Sequence, residues 1–243
     1  MKRTHIQLAA LALFAASLVY PSTLRAQEFG VGADFMSRYV WRGFDFGESF
    51  SIQPTLEFSQ NAFTIGTWAS YSISADGSGA NEHDLYVSVA AGPVSFGITD
   101  YYFPSGTIGF DGGGSFGVGA GDAPFFDADS HTFEPFVSVE SGGFGLYGAF
   151  LLNSEFDDGD ADYGPYVEAS YGFEVAGTEL GLAAGGILTE SAFYGNTSAA
   201  LSNLSISAAK AVPITDSFAI PVGVSYIINP YTERTFLVFG ISL

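Results

Sequence analysis

The sequence contains no cysteine, and basic residues are scarce, since seven Lys and Arg stand against 26 Asp and Glu. Without cysteine, neither disulfide bonds nor thiolate catalysis is available to the chain. The shortage of Lys and Arg argues against nucleic acid as a partner, because phosphate binding depends on those side chains. Beyond the N-terminal segment, no apolar run approaches the roughly 20 residues of a membrane-spanning helix, so we expect no helical span.

The chain begins with the pattern of a secretory signal peptide. Lys2 and Arg3 precede an apolar run from Ile6 to Tyr20, and Ala26 offers a cleavage point. We therefore predict a signal peptide over residues 1–26 and a single domain over residues 27–243. An uncleaved helical anchor is the weaker alternative, because the apolar run is short. Removal of residues 1–26 leaves four basic against 26 acidic residues, a net charge of −22.

The rest of the chain contains twelve segments in which apolar side chains alternate with small or polar ones. The second segment places Phe50, Ile52 and Leu56 on one face, with Gln53 and Glu57 on the other. A period of two indicates β-strands rather than helices. The segments are 29–42, 50–58, 63–73, 84–89, 94–103, 131–140, 144–153, 163–174, 179–188, 203–211, 217–228 and 234–243.

The connections between these segments favour a membrane barrel over a soluble sandwich. Those after even-numbered segments are tight, as at Gly92-Pro93, whereas most of the others are longer, as at 104–130. Short periplasmic turns alternating with longer external loops are typical of outer-membrane barrels. We predict an all-β fold: a transmembrane, antiparallel, up-and-down β-barrel of twelve strands in the Gram-negative outer membrane. Tyr39 and Trp41 are expected in its aromatic girdle.

Three short motifs resemble landmarks of a known family. Ser37-Arg-Tyr-Val-Trp-Arg-Gly43, Gly66-Thr-Trp-Ala-Ser70 and Glu82-His-Asp-Leu-Tyr86 are similar to the opening of an uncharacterised family of bacterial outer-membrane proteins, the conserved hypothetical "Gcw_chp" family. The similarity extends over about residues 29–103. It implies an outer-membrane barrel, with transport as one role and no assigned activity.

Five charged residues are candidates for a constriction inside the barrel. Alternation directs Arg38, Arg42 and Arg234 into the lumen, together with Asp34 and Glu57. Charge rings of this kind select solutes in channels. The alternative is a set of interior ion pairs that plugs and rigidifies a narrow lumen, since buried charges have to be paired. Further acids expected to face inward are Glu134, Glu140 and Glu168.

An acidic loop offers a weak metal-binding pattern. Alternate carboxylates at Asp158, Asp160 and Asp162 are able to converge on one calcium ion. However, Tyr163 stands where a calcium loop has glycine, so a solvated acidic loop is the alternative reading. No cofactor is expected. The glycine-rich loop 104–130 is either a lid or a flexible segment.

No catalytic constellation stands out, and we predict that the protein is not an enzyme. His83 and His131 begin strands at the external rim, and nothing around them resembles the motifs of outer-membrane phospholipases. We predict a narrow, porin-like channel that prefers cations, because acidic mouths concentrate counterions. The alternative is a structural or surface-interaction barrel with a closed lumen, and an enzyme acting on lipid is a remote third. The expected partners are outer-membrane lipids, the barrel-assembly machinery and small solutes or cations, without nucleic acid; the sequence names neither the solute nor the oligomeric state.

Overall fold

The computed structural model describes residues 27–74, 79, 81–109, 115–120, 123–152, 154 and 159–243. The signal-peptide prediction for residues 1–26 lies outside these ranges, as does Asp158 of the acidic loop. Sixteen strands are described: β1 Glu28–Met36, β2 Val40–Trp41, β3 Phe44–Asp45, β4 Phe50–Gln60, β5 Phe63–Ile73, β6 Glu82–Ala91, β7 Val94–Tyr102, β8 Gly106–Gly109, β9 Ser115–Ala120, β10 His131–Ser141, β11 Phe144–Ala149, β12 Tyr166–Val175, β13 Thr178–Ile187, β14 Ala200–Thr215, β15 Phe218–Asn229 and β16 Arg234–Ser242.

Twelve of these strands form one closed antiparallel barrel, which confirms the predicted fold. The order around the wall is β1-β4-β5-β6-β7-β10-β11-β12-β13-β14-β15-β16, and β1 pairs with β16 to close it. Closure leaves no sheet edge unpaired. The remaining strands form two small hairpins, β2–β3 and β8–β9. A 3₁₀ turn, Ala128–Ser130, precedes β10, and no described helix is long and apolar enough to cross a membrane.

The two ends of the barrel differ in the length of their connections. At one end, called here the turn end, five two-residue turns join the strands, and both β1 and β16 have their free ends there. Positive φ angles occur in these turns at Asn61, Gly92, Ala176 and Gly177. The mirror-image turns that suit two-residue hairpins require such angles. The longer connections lie at the opposite end, called here the loop end. The predicted sorting of loops is confirmed.

Alternation along the strands places apolar side chains on the outer surface of the barrel. Phe29 and Val31 on β1 are 74% and 81% exposed, and Leu237 on β16 is 65% exposed. On each strand the alternate positions face the lumen. Examples are Gln53 on β4, which is 1% exposed, and Glu134 on β10, which is fully buried. Apolar side chains are therefore concentrated on the outer surface of the wall, and many of the alternating positions carry buried polar side chains.

One part of the strand prediction is wrong. The first segment was expected to run as a single strand to Arg42, but β1 ends at Met36. Residues 37–46 turn away from the wall and form the β2–β3 hairpin. Tyr39 and Trp41 are therefore 4% and 7% exposed inside the molecule rather than in an outer aromatic girdle.

Candidate functional site

The hairpin of residues 37–46, called here the plug hairpin, occupies the lumen at the loop end. Val40 pairs with Asp45 and Trp41 with Phe44, so a two-residue turn remains between them. Arg42 and Gly43 fill this turn with φ angles of +52° and +84°. Two consecutive positive φ angles define the type I′ turn that suits a twisted hairpin. A positive φ is unusual for arginine, and such strain tends to be kept where a side chain has a specific task.

Contacts of the plug hairpin extend around the whole wall, which places it inside the barrel. The ring of Tyr39 lies 5.4 Å from that of Trp68 on β5. The Trp41 ring lies 5.9 Å from that of Tyr101 on β7. On the far side, the Asn229 side-chain amide at the end of β15 donates to the Gly43 carbonyl at 3.1 Å. A segment that reaches strands on opposite sides of a barrel can do so only through its lumen.

The apex of the plug hairpin is pressed against the wall at Gly43. A Cβ atom added there would come within 1.9 Å of the Ser202 carbonyl oxygen on β14. No other residue type fits this position without displacing backbone, because both the φ angle and the available space require glycine. The glycine therefore fixes how deeply the hairpin is seated.

Arg42 is clamped by a buried carboxylate. Its Nη1 donates to Glu134 Oε2 at 2.6 Å and its Nη2 to Glu134 Oε1 at 2.9 Å, a bidentate ion pair. The Tyr101 and Tyr147 hydroxyls each donate to Glu134 Oε1 at 3.0 Å. Arg42 also donates to the Tyr194 hydroxyl. The buried charges are thus paired and hydrogen-bonded, the condition under which they are tolerated in an interior.

Aromatic rings enclose the same guanidinium from two sides. The Arg42 Cζ atom lies 4.1 Å from the ring centroid of Trp41 and 4.1 Å from that of Tyr166. Cation–π contacts contribute about 2 kcal/mol when they are desolvated. The surrounding apolar cluster joins the plug hairpin, the wall and the loops: Tyr39, Trp41, Phe44, Phe46, Tyr101, Phe103, Leu151, Tyr166, Ile187, Phe193 and Tyr194. This cluster fills the lumen at the loop end.

The connection between β13 and β14, residues 188–199, folds over the plug hairpin and is held by Asp162. Its carboxylate accepts hydrogen bonds at 2.9 Å from the Gly164 N–H, the Ser191 hydroxyl and the Phe193 N–H. Asp162 is 1% exposed, whereas Asp160 lies on the surface. The Asp162 carboxylate is thus engaged by the loop, and the calcium loop, whose Asp158 lies outside the described residues, stays a prediction. Within the described ranges, no group of three or more His, Asp or Glu side chains is arranged to hold a metal ion.

The other predicted constriction residues occupy separate places. Arg38 forms an ion pair of 2.6 Å with Asp45 inside the plug hairpin. Asp34 lies beside Gln53 in the wall. Glu57, four residues closer to the turn end, accepts from Tyr86 at 3.0 Å. Arg234 is exposed at the loop-end rim, where β16 begins. Arg38 and Arg42 therefore belong to the plug hairpin, and the five predicted constriction residues do not form one ring.

Towards the turn end, glycines make room for large side chains of the neighbouring strands. A Cβ atom on Gly66 would lie 2.4 Å from the Tyr86 ring, and one on Gly97 would lie 2.3 Å from the Phe136 ring. Each glycine sits on the strand next to the one that carries the ring. These rings therefore line the wall of the lumen along this half.

The two histidines face outward at the loop-end rim. His131 Nδ1 lies 2.8 Å from Asp100 Oδ1, and its Nε2 lies 2.7 Å from the Phe125 carbonyl oxygen. His83 packs against Tyr71 and Tyr102. Because both ring nitrogens of His131 are engaged, this histidine is not placed to activate a hydroxyl nucleophile in this arrangement.

No established family profile and no curated protein sequence matches this chain. The site must therefore be interpreted from its own geometry. Alternation placed Arg42 and Glu134 in the lumen, whereas Trp41 was expected in an outer girdle and no sequence signal pointed to Tyr166 or Tyr194. The available local signal, Gly43 after Arg42, is weaker than the Asn-Gly, Asp-Gly or Gly-Gly pairs that favour a type I′ turn.

Proposed function

We propose that the protein spans the bacterial outer membrane and is a narrow, cation-preferring channel that the plug hairpin closes. The loop end would face outward and the turn end the periplasm, the usual orientation of such barrels. The apolar outer surface supports this placement, since lipid offers no hydrogen bonds and tolerates only a closed sheet. The Gcw_chp resemblance is consistent with the proposal and remains a prediction.

The observation that supports gating is that polar contacts help to hold the plug hairpin in the lumen. A lumen that is filled permanently is stabilised at least as well by apolar side chains, because buried ion pairs are costly to desolvate. Here the apolar packing of the hairpin is combined with the Arg42–Glu134 ion pair, the Asn229 hydrogen bond and a strained turn. Breaking these polar contacts removes the specific part of what holds the hairpin in the lumen.

Cation preference follows from the charges that would remain after release. Arg38 and Arg42 would leave the lumen with the plug hairpin. The wall would keep Glu57, Glu82 and Glu134, all on lumen-facing positions. A low-dielectric passage lined by one sign of charge concentrates the opposite sign. The open state should therefore conduct cations better than anions.

Planar-bilayer conductance tests this proposal. Met36 and Ser51 are register partners, so replacing residues 38–48 with a short Gly-Ser turn joins β1 to β4 without strain on the wall. We expect rare, brief openings for the intact protein and sustained conductance for this variant. Its reversal potential in a KCl gradient should indicate cation selectivity that weakens at high salt. The matched control replaces Asp160 with Asn and keeps the plug.

The fully paired plug also fits the second candidate, a structural barrel with a permanently closed lumen. Every charged atom of the Arg42–Glu134 pair has a partner, as expected of an interior that favours rigidity. The same experiment separates the two. Heat-modifiable migration on gels shows whether the variant without the plug folds. If it folds and still shows no conductance, the channel proposal fails and the closed barrel replaces it.

A further inference from the structure

The lumen wall on β5 and β6 carries a pocket rich in oxygen atoms. Ser70 and Glu82 are direct partners in the register, and Asp84 lies two residues along the same face of β6. They are 0%, 2% and 7% exposed. Paired residues place their Cβ atoms about 5 Å apart, and alternate residues of a strand share a face. The three buried side chains are therefore neighbours on the lumen face of the wall.

Each of these side chains has a buried oxygen atom that lacks a partner. Ser70 Oγ, Glu82 Oε2 and Asp84 Oδ1 make no hydrogen bond with any residue in the ranges that the structure describes. Leaving one buried polar atom unsatisfied costs about 1–3 kcal/mol, and more for a charged group. Three such atoms side by side indicate a binding position, because native interiors satisfy nearly all of their buried polar groups.

The plug hairpin covers this pocket. Tyr39 makes a side-chain hydrogen bond to Glu82, and its ring packs on Trp68, the register partner of Asp84. The arginines of the same hairpin are committed elsewhere, since Arg42 pairs with Glu134 and Arg38 with Asp45. The pocket thus contains two carboxyl groups and two hydroxyls beneath the plug hairpin. The arginines of that hairpin, Arg38 and Arg42, pair with other carboxylates.

We propose that Ser70, Glu82 and Asp84, together with the Tyr39 hydroxyl, form a calcium site beneath the plug hairpin. Carboxylate and hydroxyl oxygens are ligands for hard cations, and the two carboxylates balance the charge of a divalent ion. Their four oxygens and the two hydroxyls approach the six to eight ligands that calcium takes. Magnesium usually keeps several waters, for which so enclosed a pocket has little room. The site does not require the barrel to conduct.

The competing account is a proton shared between the two acids. The two carboxyl groups lie close enough to share a hydrogen bond once one of them carries a proton. A calcium ion would release that proton to solvent and bring both carboxylates onto the metal. A shared proton alone predicts no dependence on calcium, so the two accounts give different results.

Terbium luminescence tests the site, with the full-length barrel refolded in detergent in the presence of Tb³⁺, a calcium mimic. Trp68 should sensitise the emission because it lies next to Asp84 on the wall. We expect emission that calcium suppresses and that magnesium suppresses far less. Glu82→Gln with Asp84→Asn should abolish it. Ser70→Ala, a milder change that should fold, removes one proposed ligand oxygen and is expected to weaken affinity at least about tenfold, which is already the effect of losing a hydrogen-bonding partner of a ligand.

Two controls separate this pocket from the other acids. Glu57→Gln removes a lumenal carboxylate that already accepts from Ser59 and Tyr86, and it should leave the emission unchanged. Asp160→Asn alters the surface loop and should also have no effect. Emission that disappears in Asp160→Asn but survives in Ser70→Ala and in the Glu82/Asp84 variant would overturn the proposal. So would a complete lack of response to calcium in the intact protein.

Discussion

The guanidinium of Arg42 and the carboxylate of Glu134 form a bidentate ion pair in the lumen at the loop end, although 92 residues separate them in sequence. The pair joins the plug hairpin to β10. Its side chains are 3% and 0% exposed, so water does not screen it. Removing one partner from such a pair leaves an uncompensated buried charge, which costs about 3–5 kcal/mol.

Glu134→Gln should therefore destabilise the barrel by about that amount. The measurement is urea-induced unfolding of protein refolded into lipid vesicles. Glu140→Gln is the matched control, because Glu140 lies six residues along the same strand and is partly exposed. A similar small loss in both variants would contradict the assignment of Glu134 as the anchor of the plug.

The double variant Arg42→Met/Glu134→Leu is expected to recover part of the stability that Glu134→Gln loses, since it removes the unpaired charge but leaves the Tyr101 and Tyr147 hydroxyls without their acceptor. Replacing a buried ion pair with apolar side chains is often neutral or stabilising. If the plug gates conduction, this variant should open even more rarely than the intact protein, because its plug no longer needs a polar partner. A double variant as unstable as Glu134→Gln would show that the ion pair itself is not the source of the loss.

Gly43→Ala should unseat the plug hairpin, since its Cβ atom would meet the Ser202 carbonyl. Gly92→Ala is the matched control: Gly92 also has a positive φ, of +65°, but no atom lies within 4 Å of an added Cβ. The two changes share the conformational cost of about 1 kcal/mol and differ in the clash. Acrylamide quenching of Trp41, measured in a Trp68→Phe background, should rise in Gly43→Ala alone. Equal quenching in the two variants would contradict the seating of the plug at Gly43.

Asp162→Ala should loosen the loop 188–199 above the plug hairpin. The change leaves the Gly164 and Phe193 N–H groups and the Ser191 hydroxyl without their shared acceptor. We expect a loss of about 1–3 kcal/mol for these buried donors. Asp160→Ala, on the surface two residues earlier, is the control and should change little. Calcium-dependent stability that vanishes in Asp160→Ala would instead favour the predicted metal loop.

Leu182→Arg should impair insertion of the barrel into bilayers. Leu182 lies in the middle of β13 and faces outward, as do its register partners, Tyr171 and Ile206. An arginine on the lipid face near the midplane costs about 2–4 kcal/mol. Phe126→Arg is the control, because Phe126 is fully exposed in a connection rather than on a strand. Unchanged folding of Leu182→Arg in vesicles would contradict the proposed membrane placement.

Most of the barrel could be predicted from the sequence because alternation is a local signal. Phe50, Ile52 and Leu56 face outward as the period of two requires. Turn residues such as Gly92 also indicate their position locally, since their conformation suits few other residue types. Strand number, pairing of neighbours and closure then follow from these two signals together.

The plug could not be predicted because its cause is not local. The alternation of Tyr39 and Trp41 is compatible with a strand, and the period alone does not distinguish a wall strand from a hairpin in the lumen. The inward turn depends on partners distant in sequence: Glu134, Tyr166 and Ser202. Parity placed Arg42 in the lumen correctly, yet it did not identify Glu134 as its partner.

The central claim is that residues 37–46 lie in the lumen rather than along the lipid-facing wall. Fluorescence of the Trp68→Phe variant in vesicles of brominated phospholipid tests it most directly, because bromine quenches tryptophan in contact with the acyl chains. Adding Phe96→Trp on the outer face gives the positive control, since Phe96 is 55% exposed there. We expect little quenching of Trp41, and strong quenching of the additional tryptophan in the Phe96→Trp variant. Strong quenching of Trp41 alone would place it in an outer aromatic girdle and contradict the plug.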